Sequence, residues 1–382
     1  MGHADRRLTG QTLPILAAAC AVLFLGAAAA LTQPALPANA ADTYRRAFDA
    51  MPHLSSDELA LLTSVTPRAE AASEALAARW DGALKLLHAA TAVPDCDWGI
   101  DYSAKGPGTA IPHLAAARDL GRAACFRARL AWEKGDRESA VRDLRDTVIL
   151  ARRIGNNGKD GLIGSLVEVS LEKMVIKICA ARLTDAQDAH ALNSLVMEFA
   201  SGPQQNLMAR AVQAEKNCFI PWFRREWQKN ADAPHIVEQF GHLPLQDMPQ
   251  WLDDAEKTFD TVAKVMEEAP ANFAVRWDPV MKDIRARNNP LTAVVLPAGD
   301  KAYDHEMQLR MEWGLLRSGM ALLKGGAEAL PANPDPFGNP LDYRKLDAGF
   351  ELSGKLASSD APTVLVFGAP EKPYVRKANP SP

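Results

Sequence analysis

Residues 111–155 read IPHLAAARDLGRAACFRARLAWEKGDRESAVRDLRDTVILARRIG, and this stretch decides the fold. Apolar residues recur at three- and four-residue spacing on both sides of Lys134-Gly135-Asp136, which predicts one helix from about 111 and a second reaching 154. A connection this short makes the two helices antiparallel neighbours, so the segment reads as a helical hairpin. Gly135 gives the turn the backbone freedom that tight packing or a positive φ requires.

Helical patterning continues outward from the hairpin. Tyr44, Phe48 and Met51 share a face, and Ser55 with Glu58 makes a capping box ahead of Leu59, Leu61 and Leu62. An Ala-rich helix is predicted over 68–92; Pro94 ends it, and 94–110 reads as an ordered loop broken by Gly99, Gly106, Pro107 and Gly108. Beyond the hairpin Gly155 reads as a left-handed helix stop. Further helices are predicted over 162–182, 186–200, 204–229, 251–268 and 303–323, with Pro244 and Pro249 interrupting the pattern. From Pro331 onward Pro and Gly become frequent, 349–352 and 363–367 read as short strands, and the last residues read as disordered. The predicted fold is mainly α, an irregular α-helical array over 42–330 with a small β appendage over 331–382. The spacing Gly135-Asp136, Ala140, Leu144 resembles the internal turn of a tetratricopeptide repeat, but no copy follows about 34 residues later, so the hairpin stands as one tetratricopeptide-like unit.

Of the 382 residues, 47% are hydrophobic and 24% charged, which matches an ordinary folded chain. A formal charge of -4 removes the electrostatic reason to expect nucleic acid as a partner. Arg6 and Arg7 precede an apolar run over 13–31, about 28 Å as a helix and close to the hydrocarbon thickness of a bilayer. Arginines stay inside, so everything downstream is expected in the cell envelope on the extracytoplasmic side, with the membrane a partner through the N-terminal segment. Ala38 and Ala40 offer a cleavage site, which leaves residues 1–41 as either a removed signal peptide or a retained anchor. Cys20 lies in that leader. Cys96, Cys125, Cys179 and Cys218 could form two disulfides in an oxidising compartment, although Cys125 and Cys179 sit in helical apolar patterns that suit buried thiols. No C-x-x-C occurs, so neither a zinc knuckle nor a redox pair is indicated.

Several strings resemble an uncharacterised family of bacterial secreted or membrane-anchored α-helical proteins: Asn39-Ala40-Ala41 with Tyr44 and Ala47-Phe48, Cys96-Asp97-Trp98 with Asp101-Tyr102, and Pro112-His113-Leu114 with Arg118. The resemblance implies export and a helical body, brings no activity, and makes Asn39-Ala40-Ala41 the start of the folded domain. Asp335-Pro336-Phe337-Gly338-Asn339-Pro340-Leu341, with Tyr343 and Gly349-Phe350, resembles the closing β segment of major pseudopilins, which leads there into a calcium-binding loop. Here that loop reads Ser353-Gly354-Lys355 and Ser358-Ser359-Asp360, too few oxygen ligands for calcium. The module is therefore expected to be metal-free, with Phe337, Tyr343, Phe350 and Phe367 packing together or against the last helix.

Four candidate features precede and follow the hairpin turn. Asp95, Asp97 and Asp101 could hold a hard cation, or cap turns while Trp98 and Tyr102 pack their loop onto the body. Arg118, Arg122 and Arg129 fall on one stripe that could take an anion or pair with neighbouring carboxylates. Gly155-Asn156-Asn157-Gly158-Lys159-Asp160 lacks the spacing of a phosphate loop, and Phe219, Phe223 and Trp227 repeat as a core stripe. Asp97, Trp98, Asp101, Tyr102, His113, Arg118 and Arg122 form the candidate ligand or partner surface. His53, His88, His113, His190, His235, His242 and His305 contain no H-x-x-x-H pair, and no catalytic set, metal site or cofactor motif emerges. The expected function is a non-catalytic extracytoplasmic interaction surface, with another envelope protein as a candidate partner. The alternative is an α-helical envelope hydrolase or lyase with a dispersed carboxylate or His site. A deep cleft with converging acidic and His side chains would favour the enzyme, and a broad shallow groove would favour binding.

Overall fold

A computed structural model describes residues 39–63, 70–199, 205–229, 247–295, 299–359 and 361–368. The leader with Arg6, Arg7 and Cys20, the break at Pro244, Asp360 and the residues after 368 lie outside the described residues. The helices are α1 (Ala40–Asp49), α2 (Ser56–Leu62), α3 (Ala71–Arg79), α4 (Asp81–Thr91), α5 (Tyr102–Lys105), α6 (Pro112–Glu133), α7 (Arg137–Gly155), α8 (Gly161–Arg182), α9 (Ala186–Ala191), α10 (Asn193–Phe199), α11 (Leu207–Lys229), α12 (Met248–Met266), α13 (Pro270–Ala286), α14 (Pro290–Val295) and α15 (Gly299–Gly325). Strands β1 (Asp342–Lys345), β2 (Phe350–Gly354) and β3 (Thr363–Phe367) form an antiparallel sheet in that order. The protein is thus mainly α with a small β appendage. Among the described residues no helix is long and apolar enough to cross a membrane.

Helices α6 and α7 form the expected hairpin, and α8 packs against both. The hairpin serves two apolar clusters. Leu114, Leu120, Phe126, Leu150 and Ile154 join Tyr44, Leu84, Leu87 and Trp98 in an N-terminal cluster, while Cys125, Ala140, Leu144 and Val148 join the larger cluster built by α8, α11, α12, α15 and the sheet. The four cysteines of the body are free thiols, Cys125 and Cys179 buried and Cys96 and Cys218 half-buried.

Asn39 is the first described residue of the body. Asn39 Oδ1 accepts from Ala41 N at 3.0 Å and from Asp97 N at 2.9 Å, Asn39 Nδ2 donates to Asp97 O at 2.7 Å, and Ala40 and Ala41 are fully buried. Cleavage after Ala40 would remove this helix cap and its tie to the first loop.

The hairpin turn owes its glycine to backbone conformation rather than to crowding. Gly135 has φ +81°, and a Cβ built there meets nothing within 4 Å. Asp136 N donates to Ala131 O at 2.9 Å and Gly135 N to Trp132 O at 3.0 Å, which is a Schellman ending for α6. Gly135→Val is expected to lower the unfolding free energy by about 1 kcal/mol or more, because a β-branched residue is strained at this φ. An unchanged denaturant midpoint would show that the turn does not need a left-handed residue.

Gly155 is not the left-handed stop that the sequence suggests. It stays helical at φ -71°, and the left-handed residue is Asn156 at φ 45°, a conformation that Asn tolerates. Gly155 is small for another reason, since a Cβ there would collide with the Glu168 carboxyl from α8. The expected helix over 68–92 is divided at the buried Trp80, and 64–69 lie outside the described residues. Helices α13 and α14 are absent from the sequence reading; Pro270 and Pro290 each open one of them, where the missing N–H is not needed.

The β module shares the main core. Phe350 pairs with Phe367 across the sheet, their rings stacked 4.6 Å apart, and Tyr343 lies 6.0 Å from Phe350. Phe367 is fully buried against Gly319 of α15, where a Cβ would strike its ring, and Phe337 sits beneath the Arg310 guanidinium at 5.3 Å.

Candidate functional site

The residues singled out in the first loop and on α6 separate into three environments. Trp98 is buried in the N-terminal cluster, its ring 4.7 Å from His113 and 5.7 Å from Tyr44, with Nε1 donating to Arg153 O at 3.0 Å. Burial, helped by the nearby Arg45 charge, pushes the His113 imidazole down to about 4, so it is neutral at physiological pH. Asp97 and Asp101 shape the loop: Asp97 Oδ1 accepts from Gly99 N at 2.8 Å, and Asp101 Oδ1 caps α5 by accepting from Ser103 N at 2.9 Å and Ala104 N at 3.2 Å. Among the described residues no group of three or more His, Cys, Asp or Glu could hold a metal ion.

The arginine stripe also divides. Arg118 is exposed, Arg122 Nη1 pairs with Asp119 Oδ1 at 2.9 Å, and Arg129 turns inward until only 9% of it is exposed. Of the seven residues, Tyr102 lines a cavity between α5, α8 and α11.

That cavity, of about 70 Å³, lies where α5 and the turn after it meet the start of α8 and one face of α11. Tyr102, Thr109, Lys159, Asp160, Glu215 and Cys218 supply its polar wall, with Lys159 a cation beside the two carboxyls, and Ile163 and Phe219 part of its apolar wall. Glycines bring these elements together. Gly106, at φ +52°, sits against the Trp222 indole, and Gly158, at φ +83°, lies so close to α11 that a Cβ would be 2.8 Å from Ala211 N. The glycine-rich loop that superficially suggests phosphate binding is therefore used for helix approach.

The polar wall is unusual in its pairing. Glu215 Oε1 accepts from Leu162 N at 3.0 Å, so a carboxyl on α11 caps the first turn of α8. Burial pushes that carboxyl up to about 7, with the Leu162 hydrogen bond opposing. Asp160, immediately before α8, makes no capping bond; burial pushes it up to about 6, opposed by a hydrogen bond from Asn156 and reinforced by Asp97. Tyr102 Oη and Asp160 Oδ2 are both buried without a hydrogen-bond partner. Burial and the nearby Asp160 charge raise the Tyr102 phenol, and burial, Glu215 and Asp160 raise the Cys218 thiol, so the four groups feel one another.

A second polar cluster is closed inside the helices. Glu172, fully buried, accepts from Arg152 Nε at 2.8 Å and from Trp313 Nε1 at 2.6 Å. Glu306 accepts from Leu207 N and Met208 N at 3.1 and 2.8 Å, capping α11. Glu168, also fully buried, has both carboxyl oxygens unpartnered, and burial followed by Glu172 raises its pKa well above the usual carboxylate range.

Asp160, Glu215 and Cys218 were not recognised as site residues from the sequence. The only local signal was the run of glycines around Asp160, and it carried no indication that α11 would supply the opposite wall. No protein-family model, curated protein or solved structure matches the chain.

Proposed function

We propose that the body is a non-catalytic binding protein on the outer side of a membrane, and that its Tyr102–Asp160–Glu215 cavity takes a small ligand bearing an ammonium or another N–H donor. The observation that carries this reading is the pair of buried, unpartnered polar atoms, Tyr102 Oη and Asp160 Oδ2, in the wall of one cavity. An unpartnered buried acceptor costs about 1–3 kcal/mol, and a donor ligand recovers that free energy on binding. The space accommodates about five waters or a ligand of similar size. Ile163 and Phe219 suit a short apolar tail.

Titration calorimetry with n-butylamine against n-butanol tests this. Butylammonium is expected to bind more tightly, and its affinity should rise between pH 5 and 8 as Asp160 and Glu215 ionise while the amine stays charged (window from the pKa values near 6 and 7). Asp160→Asn should weaken binding about tenfold. Equal affinity for amine and alcohol, or binding indifferent to Asp160→Asn, would refute the assignment.

The outer location rests on Arg6-Arg7 and the apolar run over 13–31, and on the resemblance of the Asn39, Cys96 and Pro112 strings to exported helical proteins. Residues 1–45 fused to a reporter active only outside the cytoplasm should give activity, and a silent reporter would sink the location.

Acid–base hydrolysis is the second reading, favoured by two carboxyls pushed up to about 6 and 7 beside one cavity. It requires turnover of a p-nitrophenyl ester or glycoside, lost in Glu215→Gln. Amine binding without turnover decides for the binding protein.

A further inference from the structure

Strand β1 is the open edge of the sheet. β2 and β3 pack on α15 and β3 also on α8, whereas all four residues of β1 are exposed. Just beyond the strand Leu346 N donates to Gly349 O at 3.2 Å, and hydrogen-bonded positions alternate along an antiparallel ladder. With Arg344 opposite Glu351 and Asp342 opposite Ser353, the backbone of Arg344 and Asp342 therefore pairs with β2. The N–H and C=O groups of Tyr343 and Lys345 point away from it. An outward row of this kind is a template for another strand.

The side chains determine which strand fits. Asp342 and Arg344 stand on one face of the sheet, and Tyr343 stands on the other, 6.0 Å from the Phe350 ring. Arg344 donates to Glu351 through Nη2 at 2.6 Å, but its side chain is 67% exposed, and a guanidinium carries five N–H groups, so one carboxylate does not exhaust it.

Two copies joined antiparallel at this edge are related by a twofold axis perpendicular to the sheet, so opposed residues must belong to the same face. Setting Tyr343 against Tyr343 of the second copy meets that condition. Their outward backbone groups then exchange both hydrogen bonds, and Asp342 of each copy falls opposite Arg344 of the other. These two acid–base pairs occupy the positions without backbone bonds, where side chains approach most closely. Sliding the register by two residues would instead oppose Arg344 with Arg344. Charged side chains usually keep an edge from pairing, but this order of signs is its own complement.

We infer that β1 pairs with β1 of a second copy of this chain, making one six-stranded antiparallel sheet with its twofold axis at Tyr343.

Sedimentation equilibrium of the whole chain in a density-matched detergent tests the pairing, and a concentration-dependent dimer is the expected result. Asp342→Lys sets Lys against Arg, and Arg344→Asp sets Asp against Asp, so each variant alone should weaken the dimer about tenfold or more. An equimolar mixture of the two should regain it, because each strand then meets the opposite charge at both positions. Tyr343→Pro removes an N–H that β2 does not use, so it should abolish the dimer and leave the far-UV circular dichroism unchanged. A monomer at every concentration, a dimer equally strong in all variants, or a mixture no stronger than its components overturns the assignment.

Discussion

Arg153→Ala is expected to lower the unfolding free energy by about 3–4 kcal/mol, a large share of the stability of an ordinary domain. The Arg153 side chain ends α4. Its guanidinium donates to Ala90 O at 2.7 Å, to Thr91 O at 3.2 Å and to Val93 O, and it donates to Tyr44 Oη at 3.0 Å. A cation at a helix C-terminus meets carbonyls at the end of the helix, and here one side chain serves two of them, Ala90 O and Thr91 O, and the Val93 carbonyl just past the helix. It also lies over the Tyr44 ring at 5.6 Å, so it ties α1, α4 and α7 together. Arg153→Lys should recover less than half of the loss, because an ammonium cannot reproduce the planar fork. Chemical denaturation followed by far-UV circular dichroism measures both. A decrease below about 1 kcal/mol for the alanine variant would mean that water replaces the guanidinium without penalty.

Glu172→Leu should destabilise by about 3–5 kcal/mol, since it removes the acceptor of Arg152 Nε and leaves the buried Trp313 indole N–H without the carboxylate it donates to. Its neighbour one helical turn earlier behaves in the opposite sense. Glu168 has no hydrogen-bond partner on either carboxyl oxygen and is held neutral by burial, so Glu168→Met removes a desolvated polar group while keeping volume. The folded-state pKa of Glu168 is raised, so its stability contribution is complete below the unfolded value near 4.5 and falls as pH rises toward the folded one. Glu168→Met should therefore stabilise more at pH 8 than at pH 4. Equal midpoint shifts for the two variants, or a Glu168→Met gain that does not grow with pH, would show that the assigned protonation states are wrong.

Local patterns carried much of the architecture. The Ser55–Glu58 capping box is present, with Ser55 N donating to Glu58 Oε2 at 2.8 Å, because both partners lie within one turn and need no tertiary help. Gly135 could be placed at a turn for the same reason. The first strand, Asp342–Lys345, was not legible. All four of its residues are exposed, and a strand without a buried face has no alternation to read. The residues of the candidate surface do not come together: Tyr102 lines a cavity, Trp98 and His113 are core, Arg118 is exposed and Arg122 is half-buried beside Asp119.

What the sequence determined by itself was the mainly α class, the helical hairpin, the two longer strands and the absence of a recognised catalytic motif. All of these rest on short-range periodicity, caps and turn chemistry. Which charges meet was decided only by tertiary structure. Asp160 acquires its elevated carboxyl pKa from burial in the wall where α8 meets α11, and Glu215 reaches across that wall to cap α8. Arg129 leaves the stripe that its spacing suggests and joins Lys173 and Lys177 because α6 and α8 cross beside it. Desolvation and Coulomb interactions depend on distance and burial in space, and helix spacing along one chain does not specify either for residues on different elements.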